Sequence, residues 1–168
     1  MTHRVNWLGK PTELAGPALK KGDKAPSDFS LVGNDMVSMQ GSELRGKPRI
    51  LLAAPSLDTP VCDAEARRFN EGAVKIPGVW VLVVTVDLPF AQKRWCGAAG
   101  VERVRAYSDY RDRSFGSAYG VLAPGLALLA RAVFVVDADD IIQHAEYVPE
   151  VASEPDYEAA LEAARGIA

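Results

Sequence analysis

The stretch RILLAAPSLDTPVC, residues 49–62, decides how the chain folds. After Arg49 its first part, Ile50 to Ala54, is apolar without alternation. A strand covered on both faces reads this way, because neither face meets water. Pro55 removes a backbone donor and closes that strand. Thr59 and Pro60 then form a helix start: a good N-cap followed by the residue best suited to the first helical position. Asp58 is an alternative cap that shifts the helix by one residue. In either case Cys62 falls in the first turn.

Downstream the hydrophobic period changes. Cys62, Ala66, Phe69, Ala73 and Ile76 follow the spacing of a single helical stripe, with Arg67, Arg68 and Glu71 off it. Pro77 and Gly78 are the stop signals. VWVLVVTV (79–86) is a second buried strand, and PFAQKRWC (89–96) a short helix ending at Gly97. VRAYS (104–108) makes a third strand, followed by a helical piece over 111–119. RAVFVVDADDIIQHAEYV (131–148) predicts a β-hairpin turning near Ala138 and Asp139. The closing helix carries Tyr157, Leu161 and Ala164 on one face. Upstream, short apolar pieces alternate with Gly and Pro over the first forty residues, the pattern of short strands and hairpins.

Strands alternating with helices predict an α/β fold with a mixed central β-sheet flanked by helices. The late hairpin supplies its antiparallel part, and an N-terminal β-hairpin extension precedes it. The order strand–helix–strand–helix, then hairpin, then helix fits a thioredoxin-like arrangement. Residues 1–168 are read as one domain, long enough to bury about two-thirds of the unfolded surface.

Composition excludes several function classes. A net charge of −3 gives no basic field for nucleic acid or anionic lipid. The longest apolar run is strand length, well short of the roughly 18 residues a membrane span needs. MTHRVNWLGKPTEL, at the N-terminus, lacks the apolar core of a signal peptide, so a cytoplasmic protein is expected. Two cysteines are too few for a disulfide scaffold or a Cys-rich zinc site. His3 and His144 are isolated, so no metal and no cofactor is expected.

The two cysteines carry the candidate chemistry. Free N–H groups and the positive dipole end of a helix favour a thiolate, the reactive form, at Cys62. The bland alternative is a small buried hydrophobe, since Cys62 lies on the core-facing stripe. Three further features weigh against it. Pro55, Thr59 and Cys62 make the pattern Pro-x-x-x-Thr-x-x-Cys. Cys96 ends its own short helix. Arg131 is a permanent cation at the start of an otherwise apolar strand. Taken singly, each has an ordinary reading as strand stop, filler or solvated strand end.

With these motifs the chain resembles the thiol peroxidase class of atypical 2-Cys peroxiredoxins. The likeness runs from LGKPTEL through PSLDTPVC, RRFNE and DLPFAQKRWCGAAG to ARAVFVVD and EPDYEAAL. Ala54 departs slightly, standing where relatives often carry a bulkier apolar residue. The resemblance implies that Cys62 is the peroxidatic cysteine, oxidised to a sulfenic acid by hydroperoxide. It implies that Thr59 and Arg131 hold thiolate and peroxide while Pro55 shields the sulfur. Cys96 is then the resolving cysteine of the same chain, and thioredoxin or a similar dithiol reduces the Cys62–Cys96 disulfide. A homodimer and a preference for organic hydroperoxides are further expectations of the class. No Cys-x-x-Cys motif is present, which sets the chain apart from direct disulfide oxidoreductases.

Overall fold

The buried runs form adjacent strands of one sheet. The computed structural model describes residues 2–168. Its first part contains strands β1 (Thr2–Trp7), β2 (Lys10–Ala15), β3 (Ser30–Val32), β4 (Ser38–Gln40) and β5 (Arg49–Ala53). Helix α1 (Pro60–Val74), strand β6 (Trp80–Thr85), helix α2 (Pro89–Ala99), strand β7 (Val104–Ser108) and helix α3 (Ser114–Ala118) follow. The chain ends with β8 (Leu122–Ala123), β9 (Leu128–Leu129), β10 (Ala132–Val136), β11 (Ile142–Tyr147) and α4 (Tyr157–Ile167).

Seven strands form the main sheet in the order β11-β10-β5-β6-β7-β3-β4. β5, β6 and β7 run parallel, joined through α1 and α2 as crossover connections require. β10 pairs antiparallel with β5 and β11, so the sheet is mixed. Successive side chains of β5 point to opposite faces. Ile50 and Leu52 enter a core with Phe69 of α1 and Leu161 of α4. Leu51 and Ala53 enter another with Phe29, Phe115, Tyr119 and Phe134. This two-sided burial explains the unbroken apolar run at 50–54. Among the described residues, no helix is long and apolar enough to cross a membrane.

Several local expectations change. The N-terminal hairpin does not stand alone, because Ala15 pairs with Leu122 to build a second sheet, β1-β2-β8-β9. The two-residue strands β8 and β9 are too short for any periodicity to reveal. α1 stops at Val74, two residues before the stripe's end, although Ile76 remains buried. α2 passes through Gly97 and ends at Ala99. A helical glycine costs only about 1 kcal/mol relative to alanine, whereas a helix end requiring a left-handed residue strongly favours glycine. Gly100, at φ +66°, meets that need and donates to the Cys96 carbonyl. The 111–119 piece shrinks to Ser114–Ala118, with Arg113 at φ +55° just outside it.

Candidate active site

The loop between β5 and α1 is fastened from the neighbouring strand end. Asp87, just after β6, accepts from Ser56 Oγ at 2.7 Å and from the Leu57 amide at 2.8 Å. Thr85 Oγ1 also donates to that carboxylate, at 2.8 Å. Buried Gln92 of α2 donates to Thr85 Oγ1 at 3.0 Å and to the Tyr107 carbonyl at 2.8 Å. Ser108 Oγ donates to the Asp87 carbonyl. These bonds fix where α1 begins. Sequence reading missed Asp87 and Gln92, both inside the TVDLPFAQ segment.

Thr59 occupies the N-cap position with extended backbone, φ −96° and ψ 145°. Its hydroxyl makes no capping bond and donates instead to the Ser56 carbonyl at 3.0 Å. The oxygen keeps acceptor capacity. Cys62 lies in the first turn of the helix and is 1% exposed.

Arg131 precedes β10 rather than starting it, and its guanidinium is held on three sides. Nη2 donates to Cys62 Sγ at 3.2 Å, Nη1 to Glu65 Oε2 at 2.5 Å, and Nε to the Val151 carbonyl at 2.9 Å. Burial opposes the charge on Arg131, but Glu65 and Cys62 together push its pKa above the ordinary arginine value. Burial also pushes Glu65 up to about 7, against the pull of Arg131. One planar fork is thus shared between a carboxylate and a sulfur, a fixed geometry that lysine could not supply. Glu65 is the buried neighbour of Arg131 that sequence reading overlooked. Its signal was present: a carboxylate three residues after Cys62 on the apolar face, where an unpaired charge is rarely tolerated.

A pocket of about 360 Å³ opens beside this cluster, lined by Trp7, Leu8, Pro55, Thr59, Val61 and Arg131 among others. Pro55 is buried in its wall. Trp7 and Leu8 come from the tip of the N-terminal hairpin, where Leu8 at φ +50° and Gly9 at φ +79° form the tight connection. Glu150 holds that tip, accepting from the Leu8 amide at 3.0 Å and the Gly9 amide at 2.9 Å. The Val151 amide donates to the Asn6 carbonyl, and the Val151 carbonyl accepts from Arg131. The hairpin therefore walls the pocket and is tied to its arginine.

Cys96 lies elsewhere. Half-buried, it lines a separate depression with Asn34, Arg105 and Ala106, none of which borders the first pocket. Burial pushes its thiol up, partly offset by hydrogen bonds from the Asn34 side chain and the Ala106 backbone. Both cysteines are free thiols.

Fold and site together define a thioredoxin-like protein organised around one sheltered sulfur. The Redoxin family profile matches residues 20–161. The thiol peroxidase of Halalkalibacterium halodurans is 51% identical over 161 residues, covering 96% of both chains. That of Bacillus subtilis is 46% identical over 163 residues, covering 97% of both. Among solved structures, a peroxiredoxin-like protein from Aquifex aeolicus superposes with a TM-score of 0.90 at 37% identity, covering 99% of each chain. A thiol peroxidase from Chromobacterium violaceum, at 23% identity and a TM-score of 0.84, shares the fold over 93% of this chain and 91% of its own. The chain belongs to the Redoxin family, and within it to the peroxiredoxins of the thiol peroxidase class.

Proposed function

We propose that Cys62 is the group that reacts with peroxide and that Cys96 resolves the product. Thiol-dependent reduction of hydroperoxides is the activity of this chain. The observation that carries the assignment of Cys62 is the bond from buried Arg131 to its sulfur, made by a guanidinium that also lines the pocket.

The thiolate attacks the terminal peroxide oxygen, the O–O bond breaks, and the electron pair leaves on the distal oxygen, which takes a proton to become alcohol or water. Cys62 becomes a sulfenic acid. Arg131 offers N–H donors where negative charge develops on the leaving oxygen. Thr59 Oγ1, whose proton points to Ser56, accepts from the hydroperoxide O–H. Pro55 keeps bulk water from the sulfur. The Cys96 thiolate then attacks the Cys62 sulfur, the S–O bond breaks, and hydroxide leaves as water after protonation. A thioredoxin-type dithiol reduces the disulfide by exchange.

Purified protein supplied with thioredoxin, thioredoxin reductase and NADPH is expected to oxidise NADPH when cumene hydroperoxide is added. Absence of turnover with thioredoxin and with other dithiols would overturn the reading. Trp7, Leu8 and Val61 give the pocket apolar walls that suit an organic hydroperoxide. Leu8→Asn keeps a residue type that tolerates positive φ while removing apolar contact. It is expected to raise the KM for cumene hydroperoxide about fivefold, leaving hydrogen peroxide turnover unchanged, as steady-state kinetics on both substrates would show.

The same proposal includes a homodimer packed beside the pocket and a cytoplasmic setting where dithiol donors are maintained. Leu8, 75% exposed, supports the first by leaving apolar surface in the pocket's lining. Sedimentation tests it.

A further inference from the structure

Cys62 is buried behind Arg131 in the first turn of α1, and Cys96 lines a separate depression near the end of α2, so their disulfide draws on movement of these helix ends. A specific set of bonds holds those ends. Asp63, next to Cys62, accepts from the indole Nε1 of Trp95, next to Cys96, at 2.7 Å. The same carboxylate accepts from Arg67 Nε at 2.9 Å. Arg67 Nη1 then reaches the carbonyl of Ala99, the last residue of α2, at 3.2 Å. Although burial pushes the Asp63 carboxyl up, its bonds to Arg67 and Trp95 hold it below the usual carboxylate range. The first turn of α1 and the last turn of α2 are thereby connected directly alongside both thiols.

We propose that Asp63, Trp95 and Arg67 form a latch that keeps both cysteine-bearing helix ends folded while peroxide reacts, and that its opening limits the rate of disulfide formation. This rests on the reading of Cys62 and Cys96 as the reacting pair. Trp95 is largely buried, and a buried indole N–H needs a partner, which Asp63 supplies. Unwinding α2 to release Cys96 pulls the adjacent Trp95 away from Asp63, so that bond breaks before the sulfurs can meet. Neither Asp63 nor Trp95 lines the pocket beside Arg131, which separates the latch from the peroxide step. A slow latch prolongs the sulfenic acid and exposes it to a second peroxide, giving sulfinic acid.

Trp95→Phe keeps an aromatic ring and removes only the donor. In single-turnover stopped flow its reaction with peroxide should stay within about twofold of the parent, while the following disulfide formation accelerates about tenfold, the scale of one charge-assisted hydrogen bond. The sulfinic fraction at high peroxide, read by mass spectrometry, should fall. Asp63→Asn, at a partly exposed site, retains an acceptor without charge and should lie between parent and Trp95→Phe. Disulfide formation that is unchanged or slower in both variants overturns the latch, as does an equal loss in both steps, the mark of mere packing damage. If Cys96→Ser cycles with thioredoxin as fast as the parent, the cysteine pairing fails and the latch falls with it.

Discussion

Cys62→Ser is expected to reduce peroxide turnover to the uncatalysed background, while Cys96→Ser should complete one reaction and then stall. The asymmetry follows from the two environments. Cys62 is sheltered in the first turn of α1, with Arg131 donating to its sulfur. A serine hydroxyl there is nearly isosteric, so the fold survives, but it does not ionise at neutral pH and lacks sulfur's nucleophilicity. Among the described residues no cation hydrogen-bonds to the Cys96 sulfur, and burial pushes its thiol up. In the proposed cycle it meets the Cys62 sulfenic acid only after the helix ends open. Without it, Cys62 should accumulate as sulfenic acid and, with excess peroxide, as sulfinic acid. Rapid quench with mass spectrometry distinguishes these states, and NADPH consumption reports turnover. Equal residual activity in the two variants would mean that the roles are reversed or shared.

Much of this site was legible because several local rules agree over residues 49–62. The unalternating run demanded a doubly covered strand, and Thr-Pro demanded a helix start, so Cys62 had to lie at a strand–helix junction. The cation was legible as an anomaly, an arginine before an apolar strand. Its partner was harder to find: Glu65 passed as another charged residue on a helix full of them. Only the position of Glu65 relative to Cys62 and Phe69 marks it as inward-facing. Asp87 and Gln92 were less legible still, because their bonds join segments whose relative placement only the folded sheet defines. The same applies to Trp7 and Leu8. A hairpin read as an extension becomes a pocket wall because Glu150 and Leu122 tie it down from distant parts of the chain.

Arg131→Met is expected to slow the peroxide step by about 10²- to 10³-fold, the cost of losing one preorganised donor to developing negative charge. The variant also tests whether Arg131 serves chemistry or merely neutralises Glu65. In the parent, burial raises Glu65 to about 7 from an ordinary value of 4.5. The folded state therefore binds more protons than the unfolded state between those values, and this group's contribution to stability falls as pH rises across that window. Removing Arg131 deletes the charge that pulls Glu65 down, so the folded carboxyl keeps its proton to higher pH and the loss extends further upward. Thermal melts of Arg131→Met should lie near the parent at pH 5, where Glu65 is neutral. At pH 8 they should show a deficit of about 1 kcal/mol, because between pH 7 and 8 the variant alone keeps the Glu65 proton and each such pH unit is worth about 1.4 kcal/mol. Adding Glu65→Gln should remove that pH dependence and recover most of the stability. Stopped-flow rates on the double variant should nevertheless remain about 10²-fold below Glu65→Gln alone, because a neutral partner does not replace the missing donor at the sulfur. Recovery of the peroxide step together with stability would overturn the chemical role and leave Arg131 only as the counter-charge of Glu65.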